Sequence, residues 1–130
     1  MKRITAFILI LTTMVFIFTS CGQKTKNVSV IIADEISTEN AIDISGSVSV
    51  PENANAGECI RQLCNLNDIE IVGVDEGFIT SVGGVENEGD YAWMFYVNGE
   101  LSDVGVSGYT PEPDDEIKLV YIDWSGLFSE

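Results

Sequence analysis

Apolar and polar residues alternate along much of the chain with the two-residue period of half-buried strands, and one stretch switches to a helical period. Val28 to Ala33 is a β-branched apolar run that reads as a first strand, and Asp34 to Asn40 is an acidic, Ser- and Thr-rich loop. From Ile42 to Val50, Ile42, Ile44, Val48 and Val50 fall on one face, with Asp43, Ser45, Ser47 and Ser49 on the other. Gly46 leaves a gap on the apolar face, where a bulge or bend is expected, and Pro51 ends the strand. Asn55 stands in N-cap position with Glu58 three residues on, the pattern of a capping box. Cys59, Ile60, Leu63 and Cys64 recur at i, i+1, i+4 and i+5, which predicts a helix over Ala56 to Asn65.

The second half returns to strands. Ile69 to Val74 is followed by an Asp75-Glu76-Gly77 turn, Phe78 to Val82 by Gly83-Gly84, and Val85 to Asp90 reads as a polar loop. Ala92 to Val97 is rich in aromatic and branched residues, and Asn98-Gly99 directly after it tolerates the positive φ of a tight hairpin. Glu116 to Ile122 sets Ile117, Leu119 and Tyr121 against Glu116, Lys118 and Val120, as a strand with one buried face would. The expectation is an α+β fold: a small, mostly antiparallel β domain with one helix packed on the sheet, after an N-terminal signal segment. Alternation places Tyr91, Trp93 and Phe95 on one face of their strand and Ala92, Met94 and Tyr96 on the other. One set is core. The other is either a binding platform on an open sheet face or is covered by loops and the Trp124 to Phe128 tail.

The first residues are of another kind. Met1 to Arg3 supplies basic residues and Ile4 to Phe18 an apolar run, too short for a comfortable span of about 20 residues. With Thr19, Ser20 and Cys21 behind it, this segment resembles a bacterial lipoprotein signal. The resemblance implies that residues 1–20 are removed, that Cys21 carries the lipid, that residues 21–27 are a tether and that residues 28–130 form the domain. Two acyl chains would make the anchor stable, because each buried CH₂ contributes about 0.8 kcal/mol. The expected location is extracytoplasmic, lipid-anchored to the cell membrane; an uncleaved membrane anchor is the alternative.

Charge and composition narrow the chemistry. The chain of 130 residues has a formal charge of −15. Beyond residue 20, Lys24, Lys26, Arg61 and Lys118 stand against all 21 acids, and 4 − 21 = −17. Such a field repels phosphate backbones and excludes nucleic acid as a partner. There is no histidine, so Ser-His-Asp and Cys-His catalysis within the chain is impossible. The acidic groups Asp114 to Glu116 and Glu86, Glu88 and Asp90 read as solvated loops. Glu86 to Asp90 lacks the closing Glu and flanking helices of an EF-hand. Cys59 and Cys64, five apart on one helix, do not face each other and read as small buried hydrophobes. No catalytic residue, metal ligand or cofactor is expected.

Trp93 to Gly99, Gly105-Val106, Tyr109 and the closing Asp115 to Tyr121 together resemble the C-terminal domain of the cobalamin carriers intrinsic factor and transcobalamin. They resemble the short bacterial surface domains of that type more closely still, and Gly77 to Val85 is similar to the family's preceding strand and turn. The resemblance covers Val48 to Asp123. It implies a ligand bound against the strands similar to Val74 to Ile79 and Trp93 to Leu101, which points to Asp75, Gly77, Phe78, Trp93, Phe95, Tyr96, Asn98, Gly99 and Leu101. A corrin is a broad amphipathic plate, and aromatic rings beside a hairpin with free backbone groups suit it. The family's helical domain is missing, so the chain would cover one side of a corrin, and no histidine is present to reach its cobalt. Asp114 stands where the family commonly has Gly, which implies an altered final turn. The resulting expectation is a surface-anchored, non-enzymatic lipoprotein that captures a corrinoid (cobalamin-like) or other bulky small molecule for uptake. A membrane transporter or second surface protein is its expected partner. The alternative is a general protein or glycan interaction module with no corrinoid binding.

Overall fold

The computed structural model describes residues 24–127; the signal segment, Cys21 and the start of the tether lie outside the described residues. Five strands form one sheet in the order β2-β1-β8-β6-β7, namely Asp43–Pro51, Thr25–Asp34, Glu116–Asp123, Tyr91–Val97 and Glu100–Leu101. The pairings are antiparallel except at the centre, where β1 and β8 run parallel from Ser29↔Glu116 to Asp34↔Tyr121. A second sheet of three two-residue strands, β3 (Ile71–Val72), β4 (Ser81–Val82) and β5 (Val85–Glu86), covers part of the same face as the helix α1, Ala56–Leu66. Among the described residues the fold is thus mostly β with one helix on the sheet, as expected.

Several boundaries differ from the sequence reading. β1 begins at Thr25, so Thr25 to Asn27 belong to the sheet and not to a tether. Lys26 is 96% buried in effect, with only 4% of its surface exposed. Its Nζ donates to the carbonyls of Ala54 and Pro111, which clamps the start of β1 to the loop after β2 and the loop before β8, both at the same end of the sheet. The expected strands Ile69 to Val74 and Phe78 to Val82 shrink to Ile71–Val72 and Ser81–Val82, and the polar loop after Gly84 contains β5. Their glycines explain this: Gly73, Gly77, Gly83 and Gly84 all have positive φ and bend the chain before long ladders can form.

The helix forms where the pattern placed it. Asn55 Oδ1 accepts from the Glu58 N–H at 2.9 Å, and Glu58 Oε2 accepts from the Asn55 N–H at 3.0 Å. The helix buries Cys59, Ile60, Leu63 and Cys64 against β2, β1 and β8. Full burial of Ile60 and Leu63 contributes about 1.5–3 kcal/mol each. Gly46 is no bulge, because the β1–β2 register runs through Val30↔Gly46 without a break. A Cβ at Gly46 would lie 3.3 Å from Leu63 Cδ1. The missing side chain makes room for the helix.

Asp114 adopts φ 75°, the left-handed conformation in which Gly is at ease. An Asp there holds strain that Gly would not. Asp114→Gly is therefore expected to leave the fold intact and raise the unfolding free energy by up to about 1 kcal/mol, measured by denaturant unfolding. A loss of stability would show that the Asp114 side chain contributes more than its backbone costs.

Candidate functional site

The helix packs on β2, β1 and β8, and the apolar face of β6 is left to the small sheet and the loops. Two aromatic side chains dock that cover. Trp93, 3% exposed, donates its indole N–H to the Val85 carbonyl at 2.8 Å, and Tyr121 donates its hydroxyl to the Glu86 carbonyl at 2.8 Å. Their rings lie 5.2 Å apart. Both carbonyls belong to β5, so the edge of the small sheet is tied to the floor of the large one. Asn87 completes the junction: its Nδ2 donates to the Ile79 carbonyl and its Oδ1 accepts from the Trp93 N–H. The core set of β6 is therefore Trp93 and Phe95, with Tyr91 at the exposed end of the same row; Met94 and Tyr96 lie on the face away from the helix.

Two loops cross beside this floor at a pair of glycines. Val106 donates its N–H to the Gly77 carbonyl at 3.2 Å, and Gly57 of the helix donates to the Val106 carbonyl at 2.9 Å. A Cβ on Gly105 would sit 2.2 Å from the Gly77 oxygen, and one on Gly77 would sit 2.4 Å from Ser107 Oγ. Only glycine permits this approach of backbone to backbone. Between the crossing and β6 lies a notch of about 180 Å³, lined by Gly77, Phe78, Ile79, Trp93, Phe95, Leu101, Val104 and Leu119 among others. Phe78 stands at its rim with 61% of its surface exposed, and Val104 with 48%. Phe78 also borders two larger hollows, of about 430 Å³ with Val72 and Thr80 and about 360 Å³ with Tyr91, Met94 and Trp124.

The backbone at the notch is incompletely paired. Ser102 donates to the Phe95 carbonyl, and Asn87 accepts from the Trp93 N–H, so both residues turn their backbone groups away from β8. β7 reaches only Tyr96 and Val97. Among the described residues nothing pairs with the Trp93 C=O or the Phe95 N–H, which leaves one acceptor and one donor beside the exposed Phe78 ring.

Of the nine residues expected at the ligand, Gly77, Phe78, Trp93, Phe95 and Leu101 meet in the notch. Tyr96 and Gly99 lie instead at a hollow on the opposite sheet face, with Val120, Ile122 and the Lys118–Glu35 ion pair. Asp75 is exposed and pairs with Arg61 of the helix at 2.8 Å, so it pins its loop. Asn98 and Gly99, φ 50° and 85°, form the type I′ turn, and the Asn98 side chain is held between the Glu116 N–H and Asp115. Val104 and Asn87 lie outside the expected set, and Tyr91 belongs to the aromatic face named in the sequence but not to the nine ligand residues. Val104-Gly105 carried the only signal, an apolar residue beside a glycine in a loop.

None of the groups with a shifted pKa lines the notch. Tyr109 donates to Asp115 Oδ2 at 2.6 Å, and this bond to a carboxylate pushes the phenol up to about 12. The same bond, helped by Asn98, holds Asp115 below the usual carboxylate value. Burial pushes the free thiols of Cys59 and Cys64 up to about 11, away from reactivity. No group of three or more Cys, Asp or Glu is placed to hold a metal ion among the described residues.

The overall fold recurs in solved structures. Haptocorrin in complex with Cbi superposes with a TM-score of 0.59 at 15% identity, over 75% of this chain and 25% of the haptocorrin chain. The chain shares the fold of that part of haptocorrin. It spans about a quarter of haptocorrin's length. A protein of Ruminococcus gnavus ATCC 29149, described as a "putative metal binding protein", superposes with a TM-score of 0.51 at 14% identity, over 75% of this chain and 97% of that one. A family described as a domain of unknown function (DUF4430) matches residues 61–123, which span α1 from Arg61 to the end of β8. No curated protein sequence matches the chain.

Trp93→Ala is expected to cost about 3–5 kcal/mol of unfolding free energy, and Tyr121→Phe about 1 kcal/mol, both read from denaturant curves. A Trp93→Ala variant of unchanged stability would mean the indole is no part of the core. Asp115 makes a pH prediction. Its folded value is lowered, so its stabilisation is complete above the unfolded value of 3.8 and is lost as pH falls through the lower folded one. Asp115→Asn should therefore be less stable than the parent at neutral pH, with the gap closing below about pH 4. A gap independent of pH would sink this assignment.

Proposed function

We propose that the protein is a non-enzymatic ligand-binding lipoprotein that captures a corrinoid at the Phe78 notch. It is anchored outside the cytoplasm through Cys21 and passes its ligand to a membrane transporter or second surface protein. The single observation that carries the reading is the large, exposed Phe78 ring set over a notch floored by Trp93 and Phe95, beside an unpaired backbone donor and acceptor, on a fold shared with a protein solved in complex with Cbi. A notch of about 180 Å³ is smaller than the pockets of about 300–1,000 Å³ that enclose a whole small molecule. It fits a projecting amide side group of a corrin, while Phe78 and the adjoining hollows lie against the plate. The free Phe95 N–H suits an amide oxygen and the Trp93 C=O an amide N–H.

About three quarters of haptocorrin has no counterpart in this chain, so binding is one-sided and weaker than in an enclosed site, unless a second protein covers the ligand. The absence of histidine and the upward shifts of Tyr109, Cys59 and Cys64 support binding without chemistry.

The test is a titration of the full chain in mild detergent with cobinamide and cobalamin, followed by tryptophan quenching and corrin absorbance. Saturable binding is expected, weakened at least about tenfold by Phe78→Ala, the scale of one lost aromatic contact near 1.4 kcal/mol. The melting temperature should not move, because Phe78 is exposed. Flat titrations with both corrinoids would overturn the reading and favour an interaction module. Saturable binding that Phe78→Ala leaves unchanged would move the site elsewhere.

A further inference from the structure

At the other end of the large sheet, β2 presents a bare edge. Asp34 donates its N–H to the Ile42 carbonyl and Glu52 donates to the Lys24 carbonyl, which sets the phase of the β1–β2 ladder. Ile44, Gly46, Val48 and Val50 therefore turn their backbone groups towards β1, and Asp43, Ser45, Ser47 and Ser49 turn theirs outward. Nothing among the described residues pairs with these four outward N–H and C=O pairs, and Asp43, Ser45, Ser47 and Ser49 are all exposed. No lysine, proline or bulge interrupts the edge from Asp43 to Val50, although these are the usual protections of a free strand.

We propose that this edge is a self-association surface, at which a second copy of the chain adds its own β2 in antiparallel orientation about a two-fold axis. The edge is complementary to itself in one register above others. Placing Gly46 opposite Gly46 sets Ser45 against the partner's Ser47 and Asp43 against the partner's Ser49. All four outward residues of each copy then pair, giving about eight interchain hydrogen bonds. Shifting the axis by one residue, to Ser47, would set Asp43 against the partner's Pro51, which has no N–H and whose carbonyl already accepts from Ala54.

Charge selects the same surface. In a chain with a formal charge of −15, the stretch Ile44 to Val50 carries no charged residue, so it is a place where two copies can approach without setting carboxylates against each other. The rest of each copy still repels the other. The dimer is therefore weak at low ionic strength and tightens as salt screens the repulsion. Because β2 and the Phe78 notch lie at opposite ends of the strand order, both notches remain open in the dimer.

Sedimentation of the full chain in mild detergent, across a concentration and salt series, is the test. The expected result is a monomer–dimer equilibrium that shifts to dimer as salt rises. Ser47→Pro removes only an outward N–H and should weaken the dimer at least about tenfold, while Ser47→Ala should behave as the parent. Should Ser47→Pro fail to fold, judged by circular dichroism, cross-linking decides. A Ser45→Cys chain mixed with a Ser47→Cys chain should form an oxidised dimer more readily than either alone or the parent. A monomer at every concentration and salt, a dimer indifferent to a folded Ser47→Pro, or no preference for the mixed cross-link would each overturn the proposal.

Discussion

One helix of eleven residues cannot cover a five-stranded sheet. Strands lie about 4.8 Å apart and a helix with its side chains is about 10 Å wide, so a single helix shields roughly two or three strands. In this molecule it shields β2, β1 and β8. The apolar face of β6 must be closed by irregular chain, whose own backbone groups need partners. The solution is the miniature sheet β3–β4–β5, fastened by the Trp93 indole, the Tyr121 hydroxyl and the Asn87 amide. Where that improvised cover stops, beside Phe95, the notch begins.

The site is thus a by-product of incomplete coverage, kept open by glycine. Had Gly77 and Gly105 carried side chains, the loops could not cross at hydrogen-bonding distance, and Phe78 would not be held out over β6. The rigidity comes from beneath. Asp115 gathers Tyr109, Asn98 and the Glu112 N–H, so that the hairpin tip and the loop before β8 share one carboxylate.

What could be read from the sequence followed from local rules. The capping box at Asn55 and Glu58, the Asn98-Gly99 turn and the burial of Ile117, Leu119 and Tyr121 each depend on neighbours a few residues apart and are found where the pattern placed them, although Val120, expected on the open face, is buried as well. The choice of buried face on β6 depended on which elements arrive from far along the chain, and alternation alone could not make it. Lys26 shows the limit most clearly. A lysine near a polar start reads as solvated, yet its partners are the carbonyls of Ala54 and Pro111, distant in sequence and invisible to any local rule. Of the expected ligand residues, the resemblance brought five to one notch, but it could not separate those from Asp75, which serves its own loop through Arg61.

The place of β1 in the sheet has a mechanical consequence. It is flanked on both sides, antiparallel to β2 and parallel to β8, and Lys26 is locked at its first turn of pairing. A pull on the residues ahead of Lys24, directed along the strand, would load both ladders in shear, so that their bonds must fail together and not one at a time. A domain entered through a central strand resists tugging far better than one peeled from its rim.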